Sequence, residues 1–484
     1  MKLESIPIRN HPSVIVSNSF AMLLIIFFIL LGVEGMPSEA AVPFATAILL
    51  VIAVCEVMIY YFWKRTTFTF LDSEIYVLRD TVSRNEKHIQ YAKLASVNVR
   101  RGWVNLLFGT ATLTFNVNSS INSGVPEASL CLKLDEANRL REELSAMIFN
   151  KEMVIDEDNL VETLAHVSNR DIILHGILGQ PTSQFIFGGL MLLYAIAMAL
   201  VGSGSGVITA LIFLMFSEVV PRVSTIMRYY NYRIYRVDDT ITVESGMFTK
   251  YRSSFNINKI NSVRIREPLF ARILGKATLE AEVVGMANDN NIPILCPLKA
   301  RDEVFVVMRN ICPELHFESE VRKQPRGAMV PMLVSGIVTT IMVEVFLMAI
   351  SFIIYPEVPG PSLIFFQSCI LVAIIVIPAV VFIRVILAQK NRDFDIGTDS
   401  FRFTYGAYDL VTEYVNYDKV QVVRVSAGPL QRRFGVSRCK VSLMSSAGAT
   451  TITSGLFAPD DLEDVFKIVM GRISDGRYDY RKYY

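Results

Sequence analysis

The chain has 484 residues, of which 52% are hydrophobic and 19% charged, with a formal net charge of +1. That balance is too apolar for an ordinary soluble protein and fits a membrane protein with sizeable soluble parts. The near-neutral charge excludes a strong global attraction to nucleic acid, and the 6 cysteines and 5 histidines show neither a C-x-x-C pair nor zinc-ligand spacing.

A helix that crosses the hydrocarbon core needs about 20 apolar residues. Residues 14–33 carry no charge, and 42–63 carry only Glu56. Residues 185–201 are uncharged, and the shorter run 206–221 contains only Glu218. Residues 328–355 contain only Glu344, and 361–383 are uncharged with Arg384 just beyond. These runs predict six spans in three hairpins. The first is too long and too poorly followed by small residues to be a cleaved signal.

The connections within the hairpins, 34–41, 202–205 and 356–360, hold no Lys or Arg. The opposite flanks are basic, with Lys64 and Arg65, Arg222 and Arg228, and Lys390 and Arg392 among others. The positive-inside rule then places both termini and every long soluble segment in the cytoplasm. Tyr60, Tyr61, Trp63, Tyr229 and Tyr230 stand where interfacial aromatic belts belong.

Each hairpin is followed by a segment of about 87 residues, and these segments repeat. The markers are Lys93 and Gly109, Lys259 and Gly275, and Lys419 and Gly435, each pair 16 residues apart. The period is 166 and then 160 residues, so one structural unit is used three times. Period-two alternation at Ile75/Val77, Ile241/Val243 and Phe401/Phe403/Tyr405 predicts half-buried strands. Turns follow at Asp80, Gly246 and Gly406. Each unit closes on an amphipathic helix, with Leu140/Leu144, Val304/Val307/Met308 and Leu462/Val465 on the apolar faces. The third helix opens at Pro459-Asp460-Asp461. The predicted fold of each unit is a small, strongly bent antiparallel sheet capped by that helix. Residues 151–180 read as an acidic linker running into an interfacial helix.

The strand–turn–strand pattern, the PLQRRFG of 429–435 and its echo PLFARILG at 268–275 resemble bacterial pleckstrin-homology-like domains. The openings RNHPSVIV (9–16) and VSNRDIILHGILG (167–179) resemble segments that precede spans in three-module members of that family. The first unit departs most, with Asp80 in place of the turn glycine and Leu106 where Arg272 and Arg432 stand. The resemblance implies a partner, another membrane protein with the same module type. It implies no reaction and no cofactor.

The organisation read from these features is hairpin 1 (1–63), PH-like domain 1 (64–150), linker and hairpin 2 (151–227), domain 2 (228–313), hairpin 3 (314–387), domain 3 (388–474) and a tail (475–484). Candidate contacts for anionic lipid headgroups are Lys93, Lys259, Lys419, Arg266, Arg272, Arg432 and Arg433, because the cytoplasmic leaflet is negatively charged. The alternative for the lysines is a strand end kept soluble. Glu56, Glu218 and Glu344 are candidates by their position within spans, with Arg384 as a partner for Glu344 and Glu218 reaching the interface. No protease, phosphate-loop or dinucleotide motif occurs, so the expected function is a non-enzymatic membrane scaffold or binding platform. The alternative is a transporter or lipid- or peptide-handling protein that uses Glu344. Neither a metal nor a cofactor is expected.

Overall fold

The computed structural model describes residues 7–19, 38–81, 83–117, 127–149, 162–200, 202, 204–283, 293–315, 321–354, 360–445 and 448–475. These fall into two compact units. One is Met1–Glu162 with Tyr235–Asn256 and Gly285–Asn291, and the other is Thr163–Ile234 with Ile257–Val284 and Ile292–Tyr484.

In the first unit, helix Ser38–Lys64 enters strand β1 (Thr66–Phe70) after one residue. With β2 (Glu74–Asp80) and β3 (Arg84–Gln90), β1 forms a three-stranded antiparallel sheet. A 3-10 turn, Tyr91–Lys93, leads into β4 (Leu94–Arg101), β5 (Thr110–Val117) and β6 (Ala128–Lys133), and helix Leu134–Phe149 closes the module. Phe68, Phe70 and Ile75 from the first sheet meet Val97, Leu113 and Phe115 from the second and Ala137 and Leu144 from the helix. Each large apolar side chain so buried is worth about 1.5–3 kcal/mol.

Two further strands, β7 (Glu162–Ala165) and β8 (Arg233–Val237), flank the apolar helices of residues 182–229 in the chain. The first half of the second module continues with β9 (Thr240–Ser245) and β10 (Lys250–Asn256). The sheet here joins two repeats. Strand β10 pairs with β9 on one side and with β4 of the first module on the other, with Lys250 opposite Arg101 and Tyr251 opposite Arg100.

The second unit repeats the arrangement. Strands β11 (Ile260–Glu267), β12 (Lys276–Val283) and β13 (Ile294–Ala300), with helix Arg301–Ile311, complete module two. After β14 (Arg322–Lys323), helices Met329–Ile354 and Gly360–Asn391 lead into β15 (Asp393–Ile396), β16 (Ser400–Gly406) and β17 (Leu410–Asn416). Strand β17 pairs with β11, so one sheet runs β13-β12-β11-β17-β16-β15-β14. Strands β18 (Val420–Ser426), β19 (Arg438–Ser445) and β20 (Gly448–Thr453) form a separate sheet, and helix Pro459–Ser474 caps it with Leu462 and Val465 fully buried.

The turn glycines behave as predicted. Gly246 and Gly406 have φ of +118° and +108°, and a Cβ there would lie 1.8 Å from the carbonyl oxygen of Thr249 or Asp409, so no other residue fits.

Among the described residues, Gly206–Tyr229, Arg326–Phe346 and Ile374–Asn391 are long and apolar enough to cross a membrane, and Thr182–Ile196 is a shorter apolar helix. Residues 20–37 and 355–359, on which much of the six-span expectation rests, lie outside the described residues. The fourth run is longer than its composition indicated. It passes through a π-helical turn, Met215–Val219, into helix Val220–Tyr229, and Pro221, which has no N–H to donate, stands directly after that turn. Of the segment 151–180, residues 151–161 lie outside the described residues, and helix Asn169–Leu178 opens on a Ser168/Asp171 capping box.

Candidate functional site

Helical residues 13–19 and helix Ser38–Lys64 meet the first module at a cavity of about 560 Å³. Its apolar wall is Val14 and Ile15 from helical residues 13–19, and Ile59 and Phe62 from the last turns of helix Ser38–Lys64. The opposite wall is the inner face of β2 and β3. Cross-strand pairing sets Ile75 against Ile89, Val77 against Lys87 and Arg79 against Asn85. Side chains two apart share a face, so the first pair is buried in the core and the next two open into the cavity.

Residues 8–11 are stitched across the site. Ile8 exchanges both backbone hydrogen bonds with Phe68, and the His11 N–H donates to the Cys131 carbonyl at 2.8 Å. The Cys131 N–H donates to Asn10 Oδ1 at 2.7 Å, and Trp63 Nε1 donates to the Asn10 carbonyl at 2.8 Å. Trp63 is thereby fixed in orientation. Lys87 Nζ lies 3.1 Å from both the carbonyl and a carboxylate oxygen of Glu127. Arg79 is exposed and makes no ion pair among the described residues. A guanidinium at one end and an aliphatic and aromatic wall at the other can hold an amphiphile with an anionic head. Sequence reasoning did not single out Arg79 or Lys87. The available signal was two basic residues at the inward parity of a hairpin, directly after a span.

None of the predicted basic contacts lines this cavity. Each repeated lysine ends the 3-10 turn that joins a module's two half-sheets. Lys93 is exposed, Lys259 is half-buried with its pKa pushed down by that burial, and Lys419 Nζ donates to the Asn258 carbonyl at 2.8 Å. Arg266 pairs with Glu280 at 3.7 Å. Arg272 lies in the short helix Leu269–Ile273, where its charge, after that of Arg301, counters the upward push of burial on the Glu267 carboxyl. Arg432 Nε donates to the Ala427 carbonyl at 3.1 Å, and Arg433 is exposed.

A buried charge cluster forms where β11, β12 and β17 meet. Arg264 contacts Glu413 at 3.1 Å and Glu280 at 3.9 Å. Glu413 also accepts from Ser262 Oγ at 3.0 Å and from the Tyr405 hydroxyl at 2.9 Å. Burial, then Glu413, pushes the Tyr405 hydroxyl well above its usual range, and burial pushes the Glu280 carboxyl up.

Within the apolar helices, Glu56 accepts from Ser19 Oγ at 2.5 Å. Glu218 is buried in the π-helical turn, paired with Arg222, whose guanidinium sits 4.5 Å over the Phe185 ring. Gly188 makes the room, since a Cβ there would lie 2.5 Å from the Glu218 carboxyl carbon. Oε1 of Glu344 is buried without a hydrogen-bond partner among the described residues. No ion pair joins Glu344 to Arg384 among the described residues. Arg384 is exposed and acts electrostatically on Arg392 and Tyr408 instead.

The chain matches the Bacterial PH domain family three times, over residues 23–148, 185–309 and 341–472. It is 20% identical over 453 residues to the UPF0699 transmembrane protein YdbT of Bacillus subtilis (strain 168), a match that covers 86% of this chain and 87% of that relative. No solved structure matches the chain.

Proposed function

The chain belongs to the Bacterial PH domain family, and from that membership we propose a non-enzymatic platform of the bacterial cytoplasmic membrane. Three helical hairpins hold three PH-like modules against the cytoplasmic leaflet, with both termini on the same side. The modules are presented to anionic headgroups and to another membrane protein with the same module type.

One observation carries this reading. Each module starts almost where a long apolar helix ends: one residue separates Lys64 from Thr66, three separate Tyr229 from Arg233, and one separates Asn391 from Asp393. Joints this short leave few torsions to fix, so a module has little freedom to leave the membrane surface. Each joint is also basic, with Lys64 and Arg65, Arg228 and Arg233, and Lys390 and Arg392. Each such charge is worth about 1 kcal/mol beside an anionic leaflet.

Proteolysis of inverted membrane vesicles tests the proposal. All three modules are expected to be cut without detergent. Protection of any module until detergent is added would overturn it.

A further inference from the structure

Twice in this chain, the third strand of one module's first half-sheet docks on the first strand of the preceding module's second half-sheet: β10 on β4 and β17 on β11. The two seams share one register. Arg101 faces Lys250 in the first, and the repeat-equivalent residues Glu267 and Leu410 face each other in the second. The third copy of the acceptor strand is β18. It is hydrogen-bonded to β19 on one side, and among the described residues no strand lies on the other. The closing helix does not obstruct such an edge, because helix Leu134–Phe149 packs on β4 while β10 is docked there.

We infer that residues 421–426 of β18 form a docking edge for the third strand of a PH-like half-sheet from a different protein, one that places a carboxylate opposite Arg424. The inference rests on the platform reading and names the surface through which the partner is held.

The choice of occupant follows from charge. Arg424 is the repeat equivalent of Arg264, which faces Glu413 across the second seam and has Glu280 beside it on β12. On β19 the residue beside Arg424 is Lys440. The outer face of the β18 edge is therefore basic, with Val422 52% exposed next to it. The chain's own spare donor strand is β3, which also pairs on one side only among the described residues. In the shared register, β3 of a second copy would set Lys87 opposite Arg424. Like charges directly opposite are destabilising. The Arg101–Lys250 pair is tolerated at the end of its ladder, where Lys250 is exposed, but position 424 is mid-ladder, where Glu413 is fully buried in the second seam. Main-chain pairing supplies affinity in such strand addition, and side chains at alternate positions supply specificity.

The test uses the full chain in detergent and two peptides: LVTEYVN, the sequence of β17, and its Glu-to-Lys counterpart LVTKYVN. The acidic peptide is expected to bind at least tenfold tighter, and Arg424→Glu should reverse the order. Full chains carrying Asn85→Cys and Ser426→Cys should form few disulfide-linked copies, and many more once Arg424→Glu faces Lys87. Equal binding of the two peptides, including no binding of either, would overturn the docking edge. Abundant cross-linking with Arg424 intact would overturn the choice of partner and assign the edge to a second copy. None of these outcomes alters the vesicle result, so failure here leaves the platform reading standing.

Discussion

The two seams between modules have one register and two chemistries. Across β4 and β10 the buried charge is a cation: Arg141 of the closing helix Leu134–Phe149, only 5% exposed, donates to Ser254 Oγ of β10 at 3.5 Å. The Arg100 guanidinium lies 5.7 Å over the Tyr251 ring, and Arg252 pairs with Glu244 of its own hairpin at 3.0 Å. Across β11 and β17 a fully buried Glu413 is held by Arg264, Ser262 and Tyr405. The backbone ladder and the constant geometry of the repeat determine where the strands meet. The side chains decide how much each meeting contributes and what it requires of its partner.

The sharpest break of that contrast is Glu413→Ala. It leaves the Arg264 charge buried with only the more distant Glu280 to compensate it, and such removals cost roughly 3–5 kcal/mol. Ser253→Ala, at the repeat-equivalent position of the first seam, should cost about 1 kcal/mol. Thermal unfolding of the full chain in detergent, followed by circular dichroism, compares the two. Equal costs would show that the charge cluster is not what holds the second seam.

Acid should weaken the second unit through one buried histidine beside the β11–β12 ladder. His175, only 6% exposed, packs 3.4 Å from Thr278 on β12, and burial and then Arg266 push its pKa down to about 4. Above the ordinary value of 6.5 the imidazole is neutral in both states. As pH falls from about 6.5 toward 4, the unfolded chain takes up a proton that the fold refuses, so up to about 3 kcal/mol is lost, and no more below that range. Glu280, with its pKa raised, acts in the opposite sense. The difference between the wild type and His175→Gln therefore isolates the histidine. Unfolding midpoints of the two that run parallel between pH 7 and 4 would remove this role.

The smallest effect belongs to the first seam. Arg100→Ala removes a half-exposed cation–π contact worth about 0.5–1 kcal/mol. A loss several times larger would mean that Arg100 holds more of the first seam than its contact with the Tyr251 ring.

Much of this was legible in the residues. The constant Lys-to-Gly spacing located each corner and the tight turn after each short helix: Lys93, Lys259 and Lys419 end equivalent 3-10 turns, and Gly109, Gly275 and Gly435 have φ of +62°, +65° and +62°. Less was legible at the candidate site. The repeated lysines end 3-10 turns, Arg266 lies in a ladder and Arg272, Arg432 and Arg433 lie in short helices, whereas Arg79 and Lys87, which line the cavity beside Trp63, do not repeat. Repetition reports what every copy needs to fold, and a site present in one copy leaves no such trace.

By itself the sequence determined the threefold unit, its alternating strands, its glycine turns, its closing helices and the apolar runs before each copy. These are local matters, set by side-chain period, backbone sterics and hydropathy over a few to about twenty residues. Only the tertiary structure decided that β10 leaves its own second half-sheet for β4, that β17 does the same for β11, and that Glu218 is buried on Gly188. A strand edge offers the same N–H and C=O groups to any neighbour. The choice between its own module and the next is made by long-range packing and charge, which no short window of residues contains.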